Sequence, residues 1–407
     1  MTAVRILHVS WEYPPLVYGG LGRHVPSLAA AQAAAGHDVW VITQRTSGAP
    51  DDDVVDGVNV LRRANTPVLE FVPENLHPWV TDLDGQLAAG AMTAMGEEPP
   101  DVVHCHDWMT TITGTTLANT LGTALVATIH ATERGRHQGN LPGEISLRVD
   151  AVERTLCQRA DRVIACSQAM QAEVIAQFDV PEAKVAVIPN GIAPEEWRSS
   201  VGDRAVARAR WAPDGPLVVF VGRLEVEKGI LELAEAMVEV AQRLPGARLI
   251  VSGKGSQTQR FHQACVDLGI SGLVTMPGWL PEKDLRALIG CADVAVIPSL
   301  YEPFGLVALE AMALAVPVVA SHVGGLSEFV RQGETGWSVP PRDAGALARA
   351  IVAAVTDQGL AQAQVERATL ALARDFSWSK IAATTVDVYR TAMSASTSMA
   401  RHRHLSG

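Results

Sequence analysis

The sequence predicts an α/β protein made of two tandem domains, each a doubly wound parallel sheet. Three observations lead there. Short runs rich in β-branched residues recur along the chain with helical patterns between most of them, which is how parallel strands joined by crossover helices read. The runs fall into two series, one on each side of residues 190–200. Finally, 407 residues with 48% hydrophobic content are enough to bury two cores.

The first series comprises residues 4–10, 38–43, 58–61, 101–106, 123–130, 162–166 and 184–189, with helical patterns at 21–35 and 147–159 among the connections. The second comprises residues 217–222, 248–253, 274–276, 294–298, 317–321 and 336–339, with helices such as 230–244 and 344–355 between them. This places one domain at 1–193 and the other at 194–375. Residues 376–393 read as a terminal helix, and 394–407, with His402 and His404 among arginines, as a flexible tail. Residues 51–53 read as an acidic turn. Beyond the two halves there is no internal repeat.

Charge narrows the partners. A formal net charge of -11 with no basic tract excludes nucleic acid as the main partner, since nothing would neutralise a phosphate backbone. An anionic ligand must then be held by a few local cations and by helix ends. Five cysteines, Cys105, Cys157, Cys166, Cys265 and Cys291, form no C-x-x-C pair and no zinc spacing, so a reduced, structural state is expected. The strand pattern begins at Val4, and no apolar run approaches the roughly 20 residues needed to span a bilayer. A cytoplasmic protein without membrane insertion is the expectation.

Residues 298–312 carry the densest chemistry: Pro-Ser-Leu-Tyr-Glu-Pro-Phe-Gly-Leu-Val-Ala-Leu-Glu-Ala-Met. Residues 293–297 form a buried strand, Pro298 and Pro303 bound a loop, and residues 306–314 have helical spacing. Glu302 therefore sits at the carboxyl end of a strand and Glu310 inside the next helix, where open α/β sheets bind ligands. Gly305 allows close backbone approach, and the free N–H groups of Gly305, Leu306 and Val307 would accept hydroxyl or anionic oxygens. Two carboxylates so placed can hold a polyol such as a sugar or a ribose. Taken bare, the same pair also describes a surface loop followed by a core helix with solvated glutamates.

Six other strand ends carry similar signals. Tyr18-Gly19-Gly20-Leu21-Gly22 joins the first strand to its helix, a place for phosphate or for a plain tight turn; it is not the G-x-G-x-x-G fingerprint, and the next strand ends in Gln44 rather than an acid, which disfavours a nicotinamide enzyme. His104-Cys105-His106-Asp107-Trp108 could hold a metal, but alternation puts His104 and His106 on one face and Asp107 off it, so no metal is expected. His130 ends another strand, where a lone histidine is commonly a hydrogen-bonded structural residue. Gly222-Arg223-Leu224, followed by Glu227-Lys228-Gly229, brings two cations to a glycine turn and helix start, suited to a diphosphate or to surface salt bridging. Ser252-Gly253-Lys254-Gly255 and Pro277-Gly278-Trp279-Leu280 end the two strands that follow.

In this order and spacing, across nearly all of residues 1–393, these signatures resemble the retaining GT-B glycosyltransferases of family 4, which include sucrose, mannosyl and glycogen synthases. The resemblance implies an α/β GT-B fold, two Rossmann-like domains facing a central cleft, with the helix 376–393 crossing back to the first domain. It assigns acceptor binding to the first domain and nucleotide-sugar binding to the second. Glu302 would contact the transferred sugar, Gly305, Leu306 and Val307 its hydroxyls, and Glu310 the ribose. Gly222, Arg223 and Lys228 would bind the diphosphate, with Gly19 and Gly20 beside it, and Gly253 and Leu280 would face the nucleotide. Tyr18, Asp107 and Trp108 would line the acceptor side, Trp108 as a platform for a sugar ring, with His130 near the sugar's six-position hydroxyl. His130, Arg223, Lys228 and Glu302 form the implied catalytic set.

The Gly-Gly-Leu-Gly and His-Asp-Trp runs are similar to those of glycogen synthases. They imply transfer of α-glucose from a nucleoside diphosphate glucose, UDP- or ADP-glucose, to an α-1,4-glucan-type oligo- or polysaccharide acceptor. Glu310 stands where larger starch-synthase-type enzymes often lack a glutamate, which points to the shorter actinobacterial branch and to methylglucose lipopolysaccharide or glycogen synthesis. The nucleotide sugar is a co-substrate, no cofactor is required, and a divalent ion would at most stimulate. A GDP-mannose-dependent mannosyltransferase is the nearer alternative, but its membrane-docking helix is usually basic, whereas residues 70–98 contain no lysine or arginine. A sugar-nucleotide epimerase and a non-catalytic nucleotide-sugar binding protein are alternatives of other classes.

Overall fold

The structure, a computed structural model, describes residues 2–70 and 72–405. The chain divides into two compact units, Met1–Gly191 with Trp378–Gly407, and Ile192–Ser377.

The first unit is built on eight strands: β1 (Arg5–Val9), β2 (Asp38–Gln44), β3 (Asp52–Val55), β4 (Val58–Ala64), β5 (Val102–His106), β6 (Ala124–Ile129), β7 (Arg162–Ala165) and β8 (Val185–Val187). Their order is β3-β4-β2-β1-β5-β6-β7-β8, and every pairing is parallel except β3 with β4. β5 and β6 are buried at every residue, as central strands covered on both faces by helices must be. Helix α1 (Leu21–Ala34) buries Leu21, Val25, Leu28 and Ala29, and α2 (Leu76–Met95) buries Trp79, Leu83, Leu87 and Ala91, each a stripe at helical spacing.

Two sequence expectations fail in this unit. Residues 52 and 53, expected in an acidic turn, begin β3, which pairs back on β4 around Asp56 and Gly57, both at positive φ. An edge strand leaves alternate side chains in water, so aspartates are tolerated and guard the edge. The terminal helix runs from Trp378 to Leu405, so 394–405, expected to be a flexible tail, is helical. The segment has no proline or glycine before Gly407, and its alanines, methionine and arginines favour helix. Residues 406–407 lie outside the described residues. The helix packs on α1 and β6, with Val386 and Tyr389 inside the first unit's core.

The second unit has six parallel strands: β9 (Leu217–Val221), β10 (Arg248–Ser252), β11 (Val274–Gly278), β12 (Val294–Ile297), β13 (Val318–Ser321) and β14 (Trp337–Val339), in the order β11-β10-β9-β12-β13-β14. Helices Ile230–Arg243 and Ala344–Thr356 pack against one another and onto this sheet. No helix among the described residues is long and apolar enough to cross a membrane. In each sheet the strand order reverses once, between β1 and β5 and between β9 and β12, and the crevice beyond the carboxyl ends at such a point is where doubly wound sheets bind ligands. The loops carrying Glu12, Asp107, Arg223 and Glu302 leave those four strand ends.

Candidate active site

In the second unit the chain leaves β9 through Gly222, at φ +153°, and leaves β10 through Gly253, at φ +147°. A Cβ on Gly253 would collide with the Gly222 carbonyl oxygen, so the two loops stack backbone on backbone. Arg223 Nη2 lies 2.8 Å from Glu227 Oε1, with about half of the arginine side chain exposed. Lys228 Nζ lies 2.8 Å from Glu302 Oε2, both side chains being largely buried, and Ser299 Oγ donates to the same carboxylate oxygen at 3.0 Å. The Glu227 carbonyl accepts from the Leu300 N–H at 2.7 Å and the Tyr301 N–H at 3.2 Å, which ties the β9 loop to the β12 loop. Each cation expected to face a diphosphate thus has a glutamate that fixes its direction.

Gly305 caps helix Leu306–Ala313 at φ +109°, and a Cβ there would press on Leu326. Packing beneath the loop, as well as any ligand above it, therefore demands glycine. The N–H groups of Gly305, Leu306 and Val307 bond to no protein acceptor among the described residues, leaving the first helical turn open to oxygen ligands. Glu310 is 3% exposed, so only a ligand that itself enters the crevice meets its carboxylate. Leu280 follows β11, half-buried beside an exposed Trp279.

In the first unit a buried carboxylate organises the glycine loop. Glu12 Oε2 accepts from the Tyr18 N–H at 2.6 Å and the Gly19 N–H at 3.2 Å, and burial pushes its pKa up. A Cβ on Gly22 would lie 2.7 Å from that oxygen, so this glycine makes room for Glu12. Gly19, expected to offer its amide to phosphate, has already given it to Glu12. Gly20 is the N-cap of α1 and its carbonyl accepts from His24 N–H at 2.9 Å. Tyr18 is 57% exposed and stacks on Trp11, ring centres 5.2 Å apart at 13°.

Asp107 follows β5 at φ +60°, a strained position for a residue with a side chain. Its carboxylate accepts from the His130 backbone N–H at 2.7 Å, and its own N–H donates to the Thr128 carbonyl at 2.9 Å. Trp108, expected to be a sugar platform, is 7% exposed and packs beside α2. A stacking ring needs an open face, and the exposed one here belongs to Tyr18.

Behind His130 lies a chain of neutral imidazoles. His8, His24, His104, His106 and His130 all have lowered pKa values, first because burial penalises the cation, and His8 falls to about 4. Gln32 Nε2 donates to Tyr389 Oη at 3.1 Å, so Gln32 Oε1 accepts from His8 Nε2–H at 2.7 Å. His8 Nδ1 then accepts from His106 Nε2–H at 3.0 Å, and His106 Nδ1 from His130 Nε2–H at 3.3 Å. One amide thereby fixes the tautomer of every ring in the row and leaves Nδ1 of His130 as the lone-pair nitrogen. Two triplets, His8/His104/His106 and His24/His106/His130, have ring nitrogens close enough to share a metal ion; in the first, all three rings are committed to hydrogen bonds.

Sequence reasoning assigned no role to Glu12, Gln32, His8, Tyr389, Glu227 or Ser299. The signal for His8 was present: His8 and His104 stand opposite each other in the β1/β5 register, and His106 follows on the same face. Seeing it required knowing that β1 and β5 are neighbours.

Comparison with known proteins agrees with this architecture. Residues 18–196 match the family described as Glycosyltransferase Family 4, and residues 203–370 match Glycosyl transferases group 1. Glycogen synthase of Mycobacterium tuberculosis is 39% identical over 400 residues, covering 96% of this chain and 95% of its own. The chain belongs to the family 4/group 1 glycosyltransferases. Alpha-maltose-1-phosphate synthase of Mycolicibacterium smegmatis is 32% identical over 95% of this chain and 99% of its own length. The structure of sucrose-phosphate synthase from Thermosynechococcus elongatus superposes with a TM-score of 0.79 at 28% identity, covering 96% of this chain and 99% of that one. The glycosyltransferase fold is GT-B, with two parallel Rossmann-like sheets.

Proposed function

We propose that this glycosyltransferase moves α-glucose, with retention, from UDP- or ADP-glucose to an α-1,4-glucan-type acceptor, in methylglucose lipopolysaccharide or glycogen synthesis. The second unit takes the nucleotide sugar and the first the acceptor. The observation that carries the reading is the Lys228–Glu302 pair beside Arg223 at the β9/β12 switch point. Similarity to a glycogen synthase over nearly the whole chain supports the choice of glucose and glucan.

Departure of a nucleoside diphosphate concentrates negative charge on the oxygen that leaves the sugar. Arg223 and Lys228, held by Glu227 and Glu302, stabilise that charge without rearranging as it develops. Glu302 and the open N–H groups at Gly305, Leu306 and Val307 bind sugar hydroxyls, and Glu310 binds the ribose, so binding energy orients the anomeric carbon. His130, its backbone anchored by Asp107, orients the sugar from the first unit. Retention follows from attack on the face the diphosphate leaves, its departing oxygen taking the acceptor's proton. The residues named do this without a resident metal, a divalent ion being at most a stimulant. The five cysteines form no disulfide among the described residues, which suits a reducing, cytoplasmic setting.

The test is nucleotide release from UDP-glucose, ADP-glucose and GDP-mannose, each with and without a short maltooligosaccharide. Release from a glucose donor that depends on the acceptor and lengthens it is the expected result. Turnover of GDP-mannose alone would replace this reading with the mannosyl one.

A further inference from the structure

Three histidines from separate parts of the first unit meet at one point. His24 lies in the first turn of α1, His106 closes β5 and His130 follows β6. Each offers one ring nitrogen, and the three nitrogens lie within 4.8 Å of one another. His24 and His106 are buried and His130 is half-buried, so an ion reaches the group past His130. The sequence expectation of no metal concerned His104, His106 and Asp107, all in one loop; the fold brings His24 and His130 to His106 from two other elements.

Existing hydrogen bonds separate this triplet from the His8/His104/His106 one. There His104 spends both nitrogens outside the triplet, on Tyr389 Oη at 2.7 Å and Thr128 Oγ1 at 2.6 Å, and a metal would have to break one of these bonds. In the second triplet the bond at stake is internal, between His106 Nδ1 and His130 Nε2 at 3.3 Å. Two nitrogens on one tetrahedral zinc, each at about 2.0–2.1 Å, stand about 3.3 Å apart, so an ion replaces that hydrogen bond with both rings where they are. His24 Nδ1 is buried without a hydrogen-bond partner, and so is Oδ1 of Asn190, the side chain beside the His24 ring. Polar atoms buried in that way cost stability, which a bound cation recovers.

The donor set selects the ion. Burial keeps all three rings neutral, so their lone pairs are available without displacing a charge-bearing proton. Three neutral imidazoles with a fourth position open to water suit zinc or cobalt, whereas magnesium and calcium take oxygen ligands. His106 is held from behind as ligating histidines usually are, its Nε2–H donating to His8 Nδ1 at 3.0 Å. The Asp107 carboxylate on the His130 N–H brings negative charge close by, with Arg136 acting the other way. We propose that His24, His106 and His130 bind a zinc ion that inhibits transfer. With zinc on His130 Nε2 the ring's proton sits on Nδ1, which turns the lone-pair nitrogen left for the substrate into a donor. The inhibition rests on the reading that His130 orients the sugar; the binding of the ion does not.

The experiment is calorimetric titration of the full chain with zinc chloride, in wild type and His24→Phe, together with the absorption spectrum of the cobalt-loaded protein and transfer rates with zinc and then with EDTA. Wild type should bind zinc, give the visible bands of tetrahedral cobalt without a near-ultraviolet thiolate band, and lose at least tenfold in transfer rate, regained with EDTA. His24→Phe keeps a ring in place. It should bind zinc roughly 100-fold more weakly, since even the outer partners of a metal ligand are worth about 10–100-fold in affinity, and its zinc-free transfer should resist the ion. If that variant folds poorly, nitrogen NMR of zinc-loaded wild type decides, because the His130 proton should move from Nε2 to Nδ1. Equal zinc binding in both proteins, the result of adventitious binding elsewhere in the chain, overturns the proposal. So does a wild type that binds no zinc, or a cobalt spectrum with a thiolate band. The titration and spectrum contain no sugar, so they decide the metal site even if the chain transfers something other than glucose; zinc-loaded wild type that transfers at the zinc-free rate overturns the inhibition.

Discussion

Lys228 Nζ and Glu302 Oε2 lie 2.8 Å apart although 74 residues separate them in the chain. Two loops of the second unit make that contact, one leaving β9 and one leaving β12, and the Glu227 carbonyl locks them together through Leu300 and Tyr301. The pair is largely shielded from water, so its partners constrain each other more than an exposed pair would. It joins a residue expected to stabilise the leaving diphosphate to one expected to hold the sugar.

Lys228→Ala and Arg223→Ala should each lower kcat by roughly two to three orders of magnitude while the fold persists. Steady-state kinetics with a glucose donor, alongside circular dichroism, checks both halves. Near-normal turnover in both would remove the phosphate assignment. Lys228→Ala also strands a shielded carboxylate, so it should melt at a lower temperature than Lys228→Met/Glu302→Gln, which removes both charges. The double variant should regain stability and stay inactive.

Asp107 at φ +60° is backbone strain kept in place by one strong hydrogen bond to the His130 N–H. Asp107→Asn keeps an acceptor for the His130 N–H, so its effect should be several-fold at most. Asp107→Ala loses that acceptor and should cost about 1–3 kcal/mol of stability together with a larger drop in kcat. Equal activity in the two variants would mean that the anchor does not matter to His130.

Much of this was legible in the chain, and the misses have physical causes. β-branched runs located thirteen of the fourteen strands among the described residues, because a doubly wound sheet buries both faces and writes itself as apolar runs. β3 was missed because an edge strand need not be apolar. The motif loops were placed correctly at strand ends, yet their internal partners were not visible. Gly19 looks like a phosphate contact until Glu12 is seen beneath it, and the burial of Trp108 depends on α2, which comes from elsewhere in the first unit. The tail was misjudged from its polarity, although helix propensity without a breaker extends a helix that packing has already begun.

The histidine row makes a prediction that activity alone would not reveal. Gln32→Leu removes the acceptor for His8 Nε2–H, so nothing then fixes the direction of the hydrogen bonds from His8 to His130. Nitrogen NMR of the wild type should show His130 as the neutral tautomer protonated at Nε2. In Gln32→Leu the same signal should shift toward a mixture, with kcat falling more than donor KM changes. An unaltered His130 tautomer would show that the row does not transmit.

Glu153 sets a pH dependence whose direction follows from its surroundings. Burial raises its pKa to about 8, against the weaker lowering influence of Arg136 and of the Glu133 N–H, while Asp107 and Glu133 push it further up. The folded chain therefore binds this proton more tightly than the unfolded chain, where the group titrates near 4.5. Its contribution to stability is fully present below that value and is lost as pH rises toward 8. Glu153→Gln mimics the protonated form and keeps an oxygen for the Glu133 N–H, now 3.0 Å from Oε1. The variant should match wild type near pH 5 and exceed it by several kcal/mol above pH 8, since each tenfold difference in proton affinity between folded and unfolded chain corresponds to about 1.4 kcal/mol. Urea midpoints measured across that range check it, and because only the difference is read, the buried histidines, which lose stability toward acid in both proteins, drop out. A difference that stays flat with pH would mean that Glu153 ionises normally inside the fold.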